Sequence, residues 1–321
     1  MPTVDRVAFE IFGTPIYWYA IIIVIGMIIG VSIALFLAKR KGFVVDDILD
    51  IVLWVLPLAI IGARLYYVIT DWDASWTFQR IFAIRDGGLA IYGGIIAGAI
   101  TAIIVMKVKK MTTRDIIKIL DCLVVGVIIG QSIGRWGNFV NMEAHGGLIA
   151  NEALHFFPFG VLIGGKWYYA TFFYESMWNL IGFVGLLILN IKKPKWTGVS
   201  TLCYFIYYGI GRSWIEGLRT DSLYFLKNIL GETIRISQAL SIILVIVGVA
   251  LLTLLIVYDK KHPEKGWLNS QPTLVEECAT LAENATATEN VVVEENMVET
   301  TVSAAVETTE ENTTETTEVA E

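Results

Sequence analysis

The chain has 321 residues, of which 55% are hydrophobic and 17% are charged. This composition is far more apolar than that of ordinary soluble domains and argues against a soluble globular fold. The net charge of −7 arises at the C-terminal end, because residues 276–321 contain 13 glutamates and no lysine, arginine or aspartate. The remaining residues carry 24 basic and 18 acidic side chains, so the net charge is no guide to the partners of the apolar body.

Seven apolar segments follow one another along the chain, each close to the length of about 20 residues that a helix needs to cross a bilayer. The first is preceded by charged residues and is followed by no small-residue cleavage pattern, so we expect a retained span and not a signal peptide. The prediction is an all-α integral membrane protein, a bundle of seven transmembrane helices. The segments cover residues 17–38, 48–69, 88–106, 116–134, 169–191, 198–217 and 236–258.

The distribution of basic residues predicts the orientation of this bundle. Lysine and arginine accumulate in short loops on the cytoplasmic side of a membrane. Here 14 of the 24 basic residues lie in every second loop. We therefore expect the N-terminus outside and the C-terminus in the cytoplasm. The 14 residues are Lys39, Arg40, Lys41, Lys107, Lys109, Lys110, Arg114, Lys118, Lys192, Lys193, Lys195, Lys260, Lys261 and Lys265.

The C-terminal end has a composition unlike that of the apolar body. It consists largely of Thr, Glu, Ala and Val in low-complexity order, with no aromatic residue after Trp267. Such a segment cannot bury enough apolar surface to fold. We expect a membrane domain over residues 1–265 and a disordered, acidic, cytoplasmic tail over residues 266–321.

Seven polar or ionisable side chains within or at the ends of the apolar segments share one predicted depth, near the outer surface. Ionisable groups inside a span cost about 2.5–3.5 kcal/mol on insertion scales and usually mark functional sites. Guanidinium groups are suited to bidentate binding of phosphate, so arginines from three spans predict a site for a phospholipid headgroup. Structural ion pairs and an anion path through the bundle are the alternatives. The seven residues are Tyr19, Arg64, Tyr92, Arg135, Glu175, Arg212 and Glu216.

The densest group of polar residues is GRWGNFVNMEAHGG, residues 134–147, at the predicted outer end of the fourth span. Its glycines let the backbone turn closely, and Arg135 is suited to hold a phosphate. Asn138 is suited to orient an oxygen atom, while Glu143 and His145 supply groups able to move a proton. This mixture predicts a functional site, although outer loops are in general polar.

Two further motifs lie at the same predicted depth. The sixth span ends in YYGIGRSWIEGLRTD, residues 207–221, in which Arg212 and Glu216 are four apart and share a helical face. A plain intrahelical ion pair is an alternative interpretation. The third span opens with RDGGLAIYGGIIAG, residues 85–98, in which two glycine pairs flank Tyr92. An interfacial aromatic residue is the alternative there.

These motifs resemble those of the prolipoprotein diacylglyceryl transferase family. GRWGNFVNMEAHGG looks like the family's signature, and YG-x-x-R-x-x-x-E-x-x-R from Tyr208 to Arg219 is similar to a second motif. The resemblance covers about residues 10–260 and stops before the acidic tail. Many members have His-Pro where this chain has Tyr169-Ala170, so the start of the following helix lacks the support of a proline. Further segments in the family's order are WYA, GARLYYV, GGLAIYGGIIAG and FYESMWNL, at residues 18–20, 62–68, 87–98 and 173–180.

The resemblance implies a multi-pass transferase of the bacterial cell membrane whose active site faces the outer leaflet. It would transfer the diacylglyceryl group from phosphatidylglycerol to the lipobox cysteine thiol of prolipoproteins, forming a thioether and releasing glycerol phosphate. This is the first step of bacterial lipoprotein maturation. The implied partners are phosphatidylglycerol, prolipoprotein signal peptides and membrane lipids, with no nucleic acid and no cofactor. An anion transporter and a non-catalytic lipid-binding scaffold are the alternatives.

The resemblance also implies which residues form the site. Arg135 and Arg212 match the phosphate-binding arginines of the family, Glu143 belongs to the first motif, and Glu216 matches a further functional position. The set expected to bind phosphatidylglycerol is Arg135, Arg212, Asn138, Tyr19 and Gly146. The set expected to act in catalysis is Glu143, His145, Tyr92 and Glu216.

The proton acceptor for the substrate thiol is open between several of these residues. Some members have His where Tyr92 stands, and a base role does not pass unchanged to a phenol, whose pKa is ordinarily near 10. We expect Tyr92 to donate a hydrogen bond to substrate. An imidazole ordinarily titrates near pH 6.5, which makes His145 the plausible base. Glu143 is expected to be essential, either as a partner that positions Arg135 or as the base.

No metal site is expected, because the histidines and cysteines show no ligand spacing. The cysteines lie in unrelated sequence contexts, so we expect three free thiols. These residues are His145, His155, His262, Cys122, Cys203 and Cys278.

Overall fold

A computed structural model of the chain describes residues 5–72, 77–83, 87–143, 145–218, 224–226, 234–262 and 267–268. Within these residues, eight α-helices and three antiparallel two-stranded hairpins make up the regular structure. The helices are α1 (Trp18–Arg40), α2 (Val45–Thr70), α3 (Phe78–Phe82), α4 (Ile91–Val108), α5 (Thr113–Asn141), α6 (Thr171–Lys192), α7 (Val199–Leu218) and α8 (Ile236–Lys261). The strands pair as β1 (Val7–Ile11) with β2 (Thr14–Tyr17), β3 (Gly160–Ile163) with β4 (Lys166–Tyr169), and β5 (Tyr224–Leu226) with β6 (Ile234–Arg235).

Six of the helices, namely α1, α2, α4, α5, α6 and α8, are long and apolar enough to cross a membrane. The chain is therefore a helical membrane protein, as predicted. The sixth predicted span is α7, which is less apolar because tyrosines, Arg212 and Glu216 interrupt its hydrophobic residues. The count of seven spans and the orientation stay predictions. The expected disordered tail lies outside the described residues, apart from Trp267 and Leu268.

The central helix of the bundle is α5. In its most apolar stretch 61% of the residues are buried, against 11–33% for the other five apolar helices, and it packs against α1, α6 and α7. A capping box starts α5, in which the side chains of Thr112 and Asp115 each accept a hydrogen bond from the other's backbone N–H. The helix ends at Met142, which adopts a left-handed conformation with φ of 54°. This turn brings the chain back, so that the N–H of Glu143 donates to the carbonyl of Asn138 at 3.0 Å.

Glycines let α1 approach the central helix closely. A Cβ atom on Gly126 of α5 would lie 2.2 Å from the carbonyl oxygen of Gly30 of α1, so no larger residue fits without a shift of the helices. Small residues commonly allow such approach between membrane helices. One end of the same contact carries Tyr19, whose ring lies against Gly137; a Cβ there would be 2.7 Å from the ring. The α1–α5 contact therefore sets the position of Tyr19.

A buried carboxylate on α5 fixes the start of α7. The Asp121 side chain is fully buried and accepts from the N–H of Gly198 at 2.6 Å and from the N–H of Thr201 at 2.8 Å. The hydroxyl of Thr201 also donates to it, at 2.7 Å. A carboxylate at a helix N-terminus satisfies N–H groups that lack an intrahelical partner. Asp121 thereby fixes the level at which the later residues of α7 meet α5.

The start of α6 is held by backbone hydrogen bonds in place of a proline. Its N-cap is Ala170, which has no side chain able to cap the helix. The β3–β4 hairpin leads into it, and the N–H of Ala170 donates to the carbonyl of Phe159 at 3.2 Å. The N–H of Gly146 donates to the carbonyl of Tyr169 at 2.8 Å. These bonds tie the start of α6 to the loop that follows α5.

Candidate functional site

One buried carboxylate joins the two arginines of the main motifs. Glu175 of α6 contacts Arg135 of α5 through Oε1, which lies 2.6 Å from Nη2, and Arg212 of α7 through Oε2, which lies 3.1 Å from Nη1. Nη2 of Arg212 lies 2.8 Å from Oε2 of Glu216, one turn further along α7. The side chains of Glu175 and Glu216 are only 4% and 2% exposed. Three helices thus contribute one ionic cluster.

The burial of these charges explains why the cluster is paired. A charge removed from water without a partner is strongly destabilising, whereas two guanidinium groups facing two carboxylates neutralise one another. The ion pair within α7, which was the alternative interpretation of this motif, exists as one part of the larger cluster. Arginine has five N–H donors in a rigid fork, so each guanidinium group can contact a carboxylate and a phosphate together.

The first motif extends this cluster toward the end of α5. Nη1 of Arg135 donates to Oδ1 of Asn138 at 3.3 Å, and Nδ2 of Asn138 donates to Oε1 of Glu143 at 3.1 Å. Asn141 donates to the same oxygen at 3.2 Å. The structure thus brings Asn138, Asn141 and Glu143 of the first motif together with Arg135, while their joint role stays a prediction. Asn138 bridges Arg135 and Glu143. The carboxylate of Glu143 therefore accepts from the side-chain amides of Asn138 and Asn141.

Glu143 and Tyr19 line one open cleft beside this cluster. The cleft has a volume of about 540 Å³, within the range of pockets that hold small molecules. Its other lining residues come from the first hairpin, α1 and the end of α5. They are Arg6, Tyr17, Ala20, Asn141 and Met142. The cleft gives Glu143 access to a ligand from outside the bundle.

His145 and Gly146 lie in the loop after α5. Nδ1 of His145 is 3.2 Å from the carbonyl oxygen of Gly146, and the imidazole packs against the ring of Tyr168 with 4.9 Å between ring centroids. Gly146 is a point of close backbone approach, because a Cβ there would lie 2.9 Å from the carbonyl oxygen of Leu218. The glycine therefore lets this loop, β4 and the end of α7 come together.

Two residues of this region were missed as site residues from the sequence. Glu175 was placed at the right depth, but its pairing with two arginines depends on three helices and has no sequence signal beyond its charge. Tyr208 of α7 stacks on Tyr204, with 5.6 Å between ring centroids. Its signal is the spacing of four residues before Arg212, which puts both on one face of α7.

Tyr92 and Arg64 occupy a separate region next to this cluster. Tyr92 is half-buried in the first turn of α4. Arg64 of α2 was expected to converge with Arg135 and Arg212, but its guanidinium group is directed at the loop before α4. It donates there to backbone carbonyls, including those of Gly87 and Gly88. The structure therefore supplies two clustered arginines for a phosphate, and the third has a different set of partners.

Comparison with known proteins identifies the family. A model of the prolipoprotein diacylglyceryl transferase family matches residues 6–254. The chain belongs to this family. A protein of Oceanobacillus iheyensis named phosphatidylglycerol–prolipoprotein diacylglyceryl transferase is 43% identical over 277 residues, which cover 83% of this chain and 92% of that protein. A Finegoldia magna protein of the same name is 45% identical over 248 residues, which cover 77% of this chain and 94% of that protein.

Membership of the prolipoprotein diacylglyceryl transferase family makes the ionic cluster the leading candidate for the active site. The cluster lies within the matched residues, and so do the cleft at Glu143 and the loop of His145. Within the described part of the chain, no group of three or more His, Cys, Asp or Glu side chains is arranged to hold a metal ion.

The position of Glu175 between two arginines predicts a large effect on stability. Glu175→Gln leaves two partly buried guanidinium groups without their shared, buried counter-charge, so the free energy of unfolding should fall by about 3–5 kcal/mol. Thermal unfolding of the purified protein in detergent, followed by a thiol-reactive dye that labels the buried Cys122 on unfolding, measures this. Glu152→Gln, at an exposed glutamate, is the control. Equal unfolding temperatures for the two variants would contradict the prediction.

Proposed function

We propose that this chain transfers the diacylglyceryl group of phosphatidylglycerol to the lipobox cysteine thiol of prolipoproteins. Family membership supports this reaction class, and the relatives carry its name. The observation that carries the proposal in this chain is the pair of guanidinium groups on Arg135 and Arg212, which one buried carboxylate holds at one site. Such a pair suits the phosphodiester of phosphatidylglycerol, which becomes the leaving glycerol phosphate in this reaction.

The reaction balances without a cofactor. The cysteine sulfur forms a bond to the glyceryl carbon, while the bond between that carbon and the phosphate oxygen breaks. The electron pair of the broken bond stays on glycerol phosphate, and the thiol proton passes to a base. Negative charge therefore grows on the phosphate oxygen in the transition state. Arg135 and Arg212 stabilise that charge, because preorganised donors act most strongly where charge develops.

The carboxylates of the ionic cluster orient the arginines. Glu175 holds one Nη of Arg135 and one of Arg212, and Glu216 holds the second Nη of Arg212. Rotation of either guanidinium group would break an ion pair, so both forks keep their direction before substrate enters. This preorganisation lowers the cost of binding the transition state. In this role Glu216 is a positioning residue for Arg212.

The residues around the cleft bind the rest of the lipid. Asn138 links Arg135 to Glu143 and is placed to orient a phosphate or glycerol oxygen. Tyr19 lines the same cleft as Glu143 and presents its ring from α1. Gly146 contributes by close backbone packing that keeps the loop of His145 against α7.

The thiolate is the reactive form of cysteine, so a base must accept the thiol proton. A proton on Nδ1 of His145, donated to the carbonyl of Gly146 at 3.2 Å, leaves Nε2 as a proton acceptor. Glu143 already accepts hydrogen bonds from two amide groups, which suits a role in positioning. We assign the base to His145, and a hydrogen bond to substrate to Tyr92.

The membrane arrangement is also a proposal. We infer seven spans including α7, a bacterial cell membrane location and an active site at the outer leaflet, where phosphatidylglycerol enters laterally from the bilayer. The alternation of basic residues between loops supports this orientation. The signal peptide of a prolipoprotein would then present its cysteine from the outer surface. The catalytic part would be residues 1–265, with residues 266–321 as an accessory cytoplasmic tail.

Substitution of the clustered arginines tests the function. Arg135→Gln and Arg212→Gln should each lower kcat/KM by about a hundredfold or more, since each removes a charge that the leaving phosphate needs. The Lys variants should lose less, because lysine keeps the charge without the planar fork. Arg40→Gln, at an exposed arginine on the other end of α1, is the control. The measurement is mass spectrometry of a lipobox peptide incubated with the protein and phosphatidylglycerol.

The outcome decides between the candidate functions. A thioether-linked diacylglyceryl peptide that forms with the wild-type chain and is lost in the two Gln variants supports the transferase. Anion flux into sealed vesicles without any product would favour a transporter. Binding of phosphatidylglycerol with neither product nor flux would favour a lipid-binding scaffold.

The pH dependence of turnover tests the proton acceptor. His145→Gln should lower kcat by about a hundredfold or more and remove the fall in rate at acid pH, because a protonated imidazole cannot accept a proton. His155→Gln is the matched control, since His155 stacks on Trp167 at 5.6 Å and its Nε2 lies 3.1 Å from the carbonyl oxygen of Ile149. If His145→Gln keeps the wild-type rate and acidic limb, the base is Glu143 or a water that it orients.

Thiol labelling tests the orientation. A cysteine introduced at Lys166, in the β3–β4 hairpin, should react with an impermeant reagent in intact cells. A cysteine at Thr113, in the first turn of α5, should react only after the membrane is permeabilised. The reverse pattern would invert the orientation and remove the outer-leaflet site.

A further inference from the structure

The guanidinium group of Arg64 binds the loop between α2 and α4 from several sides. Arg64 is only 6% exposed. Its Nη1 donates to the carbonyls of Gly87 at 2.6 Å and Gly88 at 2.9 Å, and its Nε donates to the carbonyl of Ile81 at 3.0 Å. Nη2 donates to the carbonyl of Arg80. One side chain therefore holds both the residues of α3 and the two glycines that precede α4.

This loop fits closely around Arg64. Gly87 and Gly88 have φ of +89° and +72°, a conformation that residues with a side chain rarely adopt. A Cβ on Gly88 would lie 2.6 Å from Nη1 of Arg64 and 2.5 Å from the ring of Tyr67. At Gly87 a Cβ would meet nothing within 4 Å. The bonding of Arg64 therefore depends on the space at Gly88 in particular.

The held loop leads directly to Tyr92. The N–H of Ala90 donates to the carbonyl of Ala63 at 3.0 Å, which continues the attachment to α2. A Cβ on Gly93 would lie 2.4 Å from the carbonyl oxygen of Gly62, so the first turn of α4 packs against α2 without spare room. Tyr92 lies between these two fixed points.

We propose that Arg64 is a positioning residue that sets the place of Tyr92 at the start of α4. Arg64 acts through the loop and has no contact with substrate in this role. The proposal rests on the proposed function, because the role of Arg64 is defined through Tyr92, to which we assign a hydrogen bond to substrate. It also explains why Arg64, which was predicted at the same depth as Arg135 and Arg212, donates to backbone carbonyls.

A double-mutant cycle tests whether Arg64 acts through Tyr92. Arg64→Met should lower kcat by about tenfold or more, because small displacements of a reacting group cost much in rate. KM for phosphatidylglycerol should stay within about threefold, since the phosphate contacts remain. In the Tyr92→Phe background, Arg64→Met should cause no further loss. Additive losses, or a rise in KM with unchanged kcat, would overturn the proposal.

A glycine pair supplies a test that leaves Arg64 in place and does not depend on Arg64→Met folding. Gly88→Ala puts a methyl group against the guanidinium group and should reproduce the loss of kcat. Gly87→Ala introduces a similar backbone strain without a collision with the guanidinium group, so its loss of kcat should be clearly smaller. Equal losses for the two alanines would show that loop strain and not the Arg64 contact matters, which would overturn the proposal.

A readout without catalysis separates this inference from the proposed function. In a chain with Tyr92→Cys, the rate at which a small thiol reagent labels position 92 reports its local packing. Adding Arg64→Met should raise that rate by about tenfold, as a local opening would. An unchanged rate would overturn the proposal even if the wild-type chain is an active transferase. Absence of transfer by the wild-type chain, with labelling as expected, would refute the proposed function and leave the positioning of Tyr92 intact.

Discussion

The cost of burying charge governs this structure. Arg135 and Arg212 carry permanent charges in a largely apolar bundle, and the carboxylate of Glu175 between them compensates both. Because the three residues belong to α5, α6 and α7, these helices must meet at one level and with one rotation about their axes. The carboxylate cap from Asp121 and the backbone bonds at the start of α6 serve that requirement at positions far from the cluster.

Much of the architecture could be predicted from the sequence, because the length and hydropathy of a segment indicate a membrane helix. The long apolar helices and the motif that contains Arg135, Asn138 and Glu143 were predicted. These are local properties, set by composition or by spacing along one helix. The sixth predicted span exists as the helix α7, although its polarity keeps its membrane crossing a prediction.

The remainder depends on contacts between distant parts of the chain, which periodicity does not encode. Nothing near Glu175 in sequence indicates that it holds two arginines from other helices. Depth alone suggested that Arg64 would join them, but depth does not fix the direction of a long side chain. The guanidinium group of Arg64 donates instead to the backbone carbonyls of Gly87 and Gly88. Tyr208 was not singled out as a site residue, although it opens the second motif and lies four residues before Arg212.

The polarity of α7 has a consequence for biogenesis. A segment with Arg212, Glu216 and several tyrosines partitions weakly into lipid by itself, and its first N–H groups are satisfied by Asp121 of another helix. In the proposed seven-span arrangement, insertion of α7 would be coupled to assembly, because Asp121 of α5 and Glu175 of α6 supply its polar partners. Because α5 and α6 precede α7 in the chain, Asp121 and Glu175 are synthesised before the helix whose N–H groups and Arg212 they contact. The translocation machinery would then release α7 last among these three, with its charges already matched.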